Sequence, residues 1–266
     1  MGKSGITTII AASVAATILV GVAALVLYAS GSSFSMIQEV EEHSLQQTAA
    51  MASRSAENYI KGTASLADSL ADQTAIQAAF AGDAPRAQER LRNYIDAFKD
   101  YFSFFVFDAS GKIVAGVNAD GKDLTGGDRK DRDYVKAILA GQDLVFSKSV
   151  LKATSGDSLI YVVAKAIRDK DGKVLGGVAA SPLWDRFTAA TVDPVRFGKR
   201  GYGFILDAAG VVIAHPLDKS MILKDVSGDD FVRQALAKGN GSFEYEWKGE
   251  KKVMSVARIP ATGWLV

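Results

Sequence analysis

The stretch Phe105 to Ala115, FVFDASGKIVA, returns ninety-nine positions later as Phe204 to Ala214, FILDAAGVVIA. Each copy reads as an apolar strand, a tight Asp-Ala-x-Gly turn and a second strand of β-branched residues, the pattern of a β-hairpin. Gly111 and Gly210 stand where such a turn needs positive φ, which glycine reaches without steric cost. The segment after each hairpin repeats too. Tyr134-Val-Lys-Ala-Ile-Leu-Ala140 lies ninety-seven positions before Phe231-Val-Arg-Gln-Ala-Leu-Ala237; both are short amphipathic helices, and strands come after both. A self-match of hairpin, helix and strands, nearly in register over about a hundred residues, implies two homologous α/β modules in tandem.

Ahead of the modules, Ser4 to Gln38 carries no charged residue, and Ile6 to Ala29 is apolar enough to cross a bilayer core, which takes about 20 residues. A cleaved secretory signal is the competing reading, with Tyr28-Ala-Ser-Gly31 as small residues for cleavage. The apolar part of a signal runs to only about 7 to 15 residues, which favours an anchor. Lys3 precedes the segment and Glu39, Glu41 and Glu42 come after it, so the N-terminus is expected in the cytoplasm and the bulk of the chain outside the inner membrane. Ala11, Ala15, Thr17 and Gly21 offer small residues four apart, weak evidence in so alanine-rich a segment. A net charge of +1 and the lack of a basic stripe give no nucleic-acid partner. With no cysteine, and only His43 and His215 far apart, neither a disulfide framework nor a zinc site is expected, and no cofactor loop is present.

Phe34 to Ala81 contains no proline and one interior glycine, Gly62, and predicts a long helix. Leu45, Ala49, Ala52, Ala56, Tyr59, Thr63, Leu66 and Leu70 step by fours and threes, a seam for packing on the chain's own modules, the preferred reading, or against a second copy. Gly82-Asp-Ala-Pro85 stops the helix, and Arg86 to Lys99 forms a returning one. The first module then carries its hairpin, a glycine-rich loop from Asn118 to Asp128, the Tyr134 helix, and strands over Leu144 to Val150, Leu159 to Ile167 and Lys173 to Ser181. Thr154-Ser-Gly-Asp157 and Asp169-Lys-Asp-Gly172 are the turns between them. Strands over Ser242 to Trp247, Lys251 to Arg258 and at Trp264 complete a shortened second module, with turns at Asn240-Gly and Lys248-Gly-Glu250. The expected class is α+β: two PAS-like antiparallel sheets with helices covering one face. The divisions are 1–5 cytoplasmic, 6–29 transmembrane, 30–100 stalk and returning helix, 101–183 membrane-distal module and 184–266 membrane-proximal module.

Asp131-Arg-Asp-Tyr-Val135 with Ala140-Gly141, Asp171-Gly-Lys-Val-Leu-Gly-Gly177, Gly198-Lys-Arg-Gly-Tyr-Gly-Phe204, Asp207-Ala-Ala-Gly210 and Ala214-His-Pro216 come in an order and spacing that carry a likeness. From the anchor to Val266 the chain resembles the extracytoplasmic double Cache sensor region of bacterial transmembrane receptors, most often methyl-accepting chemotaxis proteins. The resemblance implies two PAS-like modules on a helix rising from the membrane, ligand capture in the distal module, and a second transmembrane helix after the proximal module, leading to a cytoplasmic output domain; a homodimer through the long helix is expected from its seam or the face beside it. Chemotaxis is the first output implied; a histidine kinase or a diguanylate cyclase is the alternative. A rival class is an anchored or secreted periplasmic solute-binding protein. An enzyme is a distant third, because no nucleophile, metal set or cofactor loop is found.

Gly198-Lys-Arg-Gly-Tyr-Gly lacks the order of a phosphate loop and precedes a strand, so it reads as a turn. His215 has no motif partner and reads as structural; Asp108 and Asp207, at equivalent turns, read as caps of backbone amides. The ligand site is placed at Asp128-Arg-Lys-Asp-Arg-Asp-Tyr134, where mixed charges and an aromatic crowd a helix entrance. The helix dipole favours an anion there, and Arg129 or Arg132 adds a planar fork for a carboxylate, with Asp131 beside them. In the bland alternative Asp128 or Asp131 caps the helix and the arginines pair with neighbouring aspartates. The amino-acid-binding branch of the resembled family carries Arg-x-Trp-Tyr at this entrance and an aspartate on the last distal strand. The matching positions here are Arg132-Asp-Tyr134-Val135 and Ser181, so the group for a carboxylate is kept and the anion for an ammonium is gone. The residues point to a small molecule, an organic anion in preference, on Arg132, Tyr134 and Ser181, with Phe107, Val150 and Tyr161 as walls.

Overall fold

Helix α1 runs from Lys3 to Ala71, 69 residues without a proline, which at 1.5 Å per residue spans roughly 100 Å. The structure, a computed structural model, describes residues 3–154, 156–247 and 249–266, with the side chains of residues 3, 4, 6–14, 29–35, 37 and 38 outside the described set. Among the described residues no helix is long and apolar enough to cross a membrane. Part of the anchor expected over Ile6 to Ala29 lies outside them, as do one residue each of the turns expected at Thr154 to Asp157 and Lys248 to Glu250.

The expected seam is turned inward: Ala49, Ala52, Ala56, Thr63 and Leu70 are buried against the chain's own modules, with Ile60, Ala64 and Ala67 beside them. Alanines at these positions let the helix axis lie close to what it packs on. The helix stops at Ala71, ten residues short of the expected end. Gln73 is extended (φ −75, ψ 128), the turn α2 (Thr74–Gln77) and a 3-10 turn come next, and Ile76 swings into the core. Gln73 is held there by its amide donating to Tyr94 Oη at 2.8 Å and by Arg90 Nε donating to its Oε1 at 2.6 Å. Neither glycine nor proline marks this break; tertiary bonds make it. Helix α3 (Ala84–Ala97) returns as expected, capped by Asp83 and with Pro85 in its first turn.

Strands β1 (Tyr101–Asp108) and β2 (Ile113–Asn118) form the first hairpin. Asp108 Oδ1 accepts from the amides of Ser110 and Lys112 at 2.8 and 3.1 Å, and Asp207 Oδ1 does the same for Ala209 and Val211, both at 2.9 Å. Burial pushes the Asp108 carboxyl up, but the hydrogen bonds from Ser110 and Lys112 outweigh it and hold it below the usual carboxylate range. After helix α4 (Asp133–Leu139) come β3 (Leu144–Phe146), a small hairpin of β4 (Leu151–Lys152) and β5 (Leu159–Ile160), β6 (Val163–Arg168) and β7 (Val174–Pro182). The two strands expected at Leu144 to Val150 and Leu159 to Ile167 are thus each broken, and the pieces between form a flap off the sheet. The five-stranded sheet is ordered β2-β1-β7-β6-β3, all antiparallel. Helices cover both of its faces, where one was expected. Phe104, Val106, Val178 and Ala180 pack on Leu70, Leu91 and Ile95 of α1 and α3; Phe105, Phe107, Ala164 and Ala179 pack on Tyr134, Val135 and Ile138 of α4.

Helix α5 (Trp184–Thr191) leads to the second module: β8 (Arg196–Phe197), β9 (Gly201–Tyr202), β10 (Ile205–Leu206), β11 (Val212–Ala214), α6 (Asp230–Lys238), β12 (Asn240–Trp247) and β13 (Glu250–Ala257). The terminal residues repeat the distal plan. Leu265 exchanges two backbone bonds of 2.9 Å with Leu206, and Val266 exchanges two of 3.0 Å with Ala257. The last segment therefore lies between β10 and β13, where β7 lies between β1 and β6. The joint between the modules is aromatic: Trp184 stacks on Phe187 at 4.5 Å and meets Trp264 edge-on at 5.4 Å, with Tyr161 from the distal side. Trp184 Nε1 donates to Ile213 O at 2.5 Å, tying α5 to β11, and Trp264 Nε1 donates to Lys148 O at 3.0 Å, tying the second module to the first.

Candidate functional site

Ser181, on β7, is fully buried, and its Oγ has no hydrogen-bond partner among the described residues. Such a group is costly, about 1–3 kcal/mol, and needs a reason. It faces a cavity of about 30 Å³ in the distal module. Ser103 of β1 pairs directly with Ser181 across the strands and lines the same floor, with Phe105 beside it. Phe102 joins them because the β1–β7 register shifts between Tyr101 and Ser103, turning two successive side chains to one side. The flap supplies Leu151, Lys152, Thr154 and Ile160, and the helix entrance supplies Arg129, Arg132 and Tyr134; Leu124 and Val162 complete the wall.

The hairpin turn sets the entrance. Gly111 has φ 81, and a Cβ there would meet Lys130 Cα at 2.6 Å, so only glycine lets the 128–131 loop lie on the turn. Arg129 N donates to Gly111 O at 2.8 Å. The Arg129 guanidinium is then spent on Asp128 O at 2.8 Å and Thr154 Oγ1 at 2.9 Å, linking entrance to flap. Lys152 pairs with Asp157 at 2.9 Å. Arg132 makes no side-chain hydrogen bond or ion pair with a described residue. Burial pushes the Tyr134 hydroxyl up to about 12, against the pull of Arg129 and Arg132, so it is a neutral donor at physiological pH. Of the cavity-lining residues three are cationic and none is acidic.

The expected residues divide. Arg129, Arg132, Tyr134 and Ser181 meet in the cavity. Asp131 is turned to solvent with Lys136 Nζ at 3.8 Å, away from the lining. Phe107 is buried with its ring against Gly177, deeper in the core. Val150 and Tyr161 belong to the inter-module cluster; Tyr161 lies between Ile160 and Val162, which line the cavity, and so points the other way along an extended segment. There its hydroxyl meets Thr63 Oγ1 of α1 at 3.1 Å. The N-terminus of α4 holds no open anion site: α4 has seven residues, Asp133 fills its first turn, and Asp133 Oδ1 and Oδ2 accept from the amides of Tyr134 and Lys148, both at 2.8 Å. Neither Asp128 nor Asp131 caps it; the cap position is Arg132. Ser103 was missed, although it is a lone polar residue in the run YFSFFVF.

A wider groove of about 800 Å³ opens between the 39–49 stretch of α1 and β12–β13. Its charges are of both signs, Glu39, Glu41, Glu42, Glu244 and Glu250 against Arg200, Lys251 and Lys252, and no unpartnered buried polar atom faces it among the described residues. It is a gap between elements with no selective chemistry.

The family model for the Cache domain, of the double type, matches residues 32–266. The chain belongs to the Cache-domain family. It is 26% identical over 178 residues to the methyl-accepting chemotaxis protein McpA of Bacillus subtilis, covering 67% of this chain and 25% of that protein. To McpG of Pseudomonas putida it is 22% identical over 236 residues, covering 86% of this chain and 35% of that one. The chain thus spans about a quarter to a third of these relatives. In fold it is similar to the ligand-binding domain of Campylobacter jejuni chemoreceptor Tlp3 in complex with 4-methylisoleucine (TM-score 0.68, 16% identity, 85% of this chain and 89% of that one). It is similar too to that of Pseudomonas fluorescens chemoreceptor CtaA in complex with L-serine (TM-score 0.67, 17% identity, 86% and 96%).

Proposed function

We propose that this chain is the extracytoplasmic ligand-sensing region of a transmembrane chemoreceptor, anchored by Ile6 to Ala29, and that its distal cavity takes a small organic anion that carries no amine. Membership of the Cache family and likeness to methyl-accepting chemotaxis proteins support the receptor. Along the anchor Ile18, Leu19, Val20, Leu25 and Leu27 are exposed in a row that nothing described in the chain covers, which suits a lipid surround. The observation that carries the ligand class is Arg132, which pairs with no described residue, in a cavity whose described lining holds three cations and no carboxylate. The neighbouring chemoreceptors named above hold amino acids. In this cavity an ammonium has no counter-charge, and an unpaired buried charge costs several kcal/mol.

Binding is read out through the wall. Ile160 and Val162 touch the cavity and Tyr161 between them bonds Thr63 of α1, so closing the flap on a ligand pulls on the stalk helix, which carries a shift of its register or tilt to an output domain in the longer protein. This is binding without turnover. Thermal-shift screening of the chain against organic acids and amino acids is the test, since a ligand specific to the folded state raises the melting temperature. Organic acids are expected to stabilise the chain, and Arg132→Ala to abolish that shift while leaving the unliganded melting point in place. Stabilisation by amino acids alone, or shifts indifferent to Arg132→Ala, overturn the reading.

A further inference from the structure

We infer that the Ser103–Ser181 floor selects a 2-hydroxy- or 2-oxo-carboxylate of a few carbons over the plain alkanoate; the inference rests on the anion reading of the same cavity. The Ser181 hydroxyl has nothing to bond among the described residues. Ser181 Oγ is buried and unpartnered, and Ser103 is its register partner on the adjacent antiparallel strand. Side chains in such a pair stand about 5 Å apart at Cβ, close enough for one oxygen placed between them to reach both hydroxyls. Each serine both donates and accepts. A ligand hydroxyl accepts from one and donates to the other, and a keto oxygen accepts from both. A methylene satisfies neither, and leaves the Ser181 hydroxyl orphaned.

Charge decides against the remaining candidates for that position. A second carboxylate on the floor would meet only two neutral hydroxyls and lose its hydration, and an ammonium would sit among Arg129, Arg132 and Lys152 without an anion. The small volume, about 30 Å³, and the apolar sides at Phe105, Ile160 and Val162 favour a short carbon chain. The carboxylate belongs at the other end, on the free fork of Arg132 with the neutral Tyr134 hydroxyl donating.

Four three-carbon acids that differ only at C2 test this: lactate, pyruvate, propionate and L-alanine, titrated calorimetrically into the full 266-residue chain in detergent. Lactate or pyruvate is expected to bind at least about ten-fold tighter than propionate, the effect of one net hydrogen bond. Ser181→Ala is expected to abolish the preference of that acid over propionate; Ser103→Ala, on the other strand, gives the same loss of preference should the first variant fail to fold. Propionate binding as tightly as lactate and pyruvate, or a ratio untouched by both serine variants, overturns the floor and leaves the anion site standing. Alanine binding tightest, or no acid binding at all, overturns both.

Discussion

The proposed ligand site turns on one oxygen, Ser181 Oγ. It is buried with no partner among the described residues, and the replacement Ser181→Ala is expected to stabilise the unliganded chain by about 1 kcal/mol. In scanning calorimetry this is a rise of roughly 2–4 °C for a chain of this size. A lower melting point for the variant would mean that the hydroxyl already has a partner and that the cavity floor is not waiting for a ligand. At this scale the sequence was half legible. Arg132 and Tyr134 stand at a helix entrance, a place readable from charge and capping patterns, and Ser181 is reached by matching the last distal strand. Tyr161 and Val150 were not readable: alternation tells which neighbours share a face, and leaves open which face turns to the cavity. Phe102 needed a register shift that no periodicity announces.

Among the elements, the segment that ends β5 and begins β6 touches both the cavity and the stalk helix. Ile160 and Val162 line the cavity on one side while Tyr161 on the other meets Thr63 of α1, and Thr63 also lies 3.3 Å from the Tyr101 hydroxyl. Burial holds the Tyr161 hydroxyl well above its ordinary pKa, so it stays a neutral hydrogen-bonding group across the physiological range. Thr63→Val keeps the shape of the side chain and removes the hydroxyl. It is expected to cost about 1 kcal/mol of stability and to leave ligand affinity in place, because Thr63 does not line the cavity. Spin labels at Asn58 and Gln142, both exposed, would report the distance between stalk and distal module. The ligand-induced change in that distance is expected to shrink in the variant; an unaltered change would show that the coupling runs elsewhere.

For the whole molecule, α1 is the spine, and a dimer of the intact receptor is expected to form through it. Its buried stripe, Ala49, Ala52 and Ala56, is occupied by the chain's own modules, so a dimer is left the opposite face, where Met36 and Val40 are 63% exposed and Met51 is 62% exposed. At 100° per residue these three lie within about 60° of one another around the helix. In membranes, single cysteines at Met36, Val40 and Met51 are expected to crosslink several-fold more than cysteines at Ala49, Ala52 and Ala56. A profile that is flat, or that peaks on the alanines, would remove dimerisation through this face.

By itself the sequence determined the duplication, the hairpins with their Asp and Gly turns, the stalk helix and the α+β class, because these rest on local φ requirements and on periods within one element. Its two-module reading extended to the last three residues, whose strand position was visible as an apolar tail at Trp264. What only tertiary structure decided was everything that depends on one element meeting another. The stalk ends at Ala71 because Tyr94 and Arg90 hold Gln73 extended. Helices cover both faces of the distal sheet because the stalk and α3 pack on one side and α4 on the other. Ser103 and Ser181 become one floor because β7 returns beside β1 across seventy-eight residues of chain, a pairing set by burying both sheet faces and carried by no local signal.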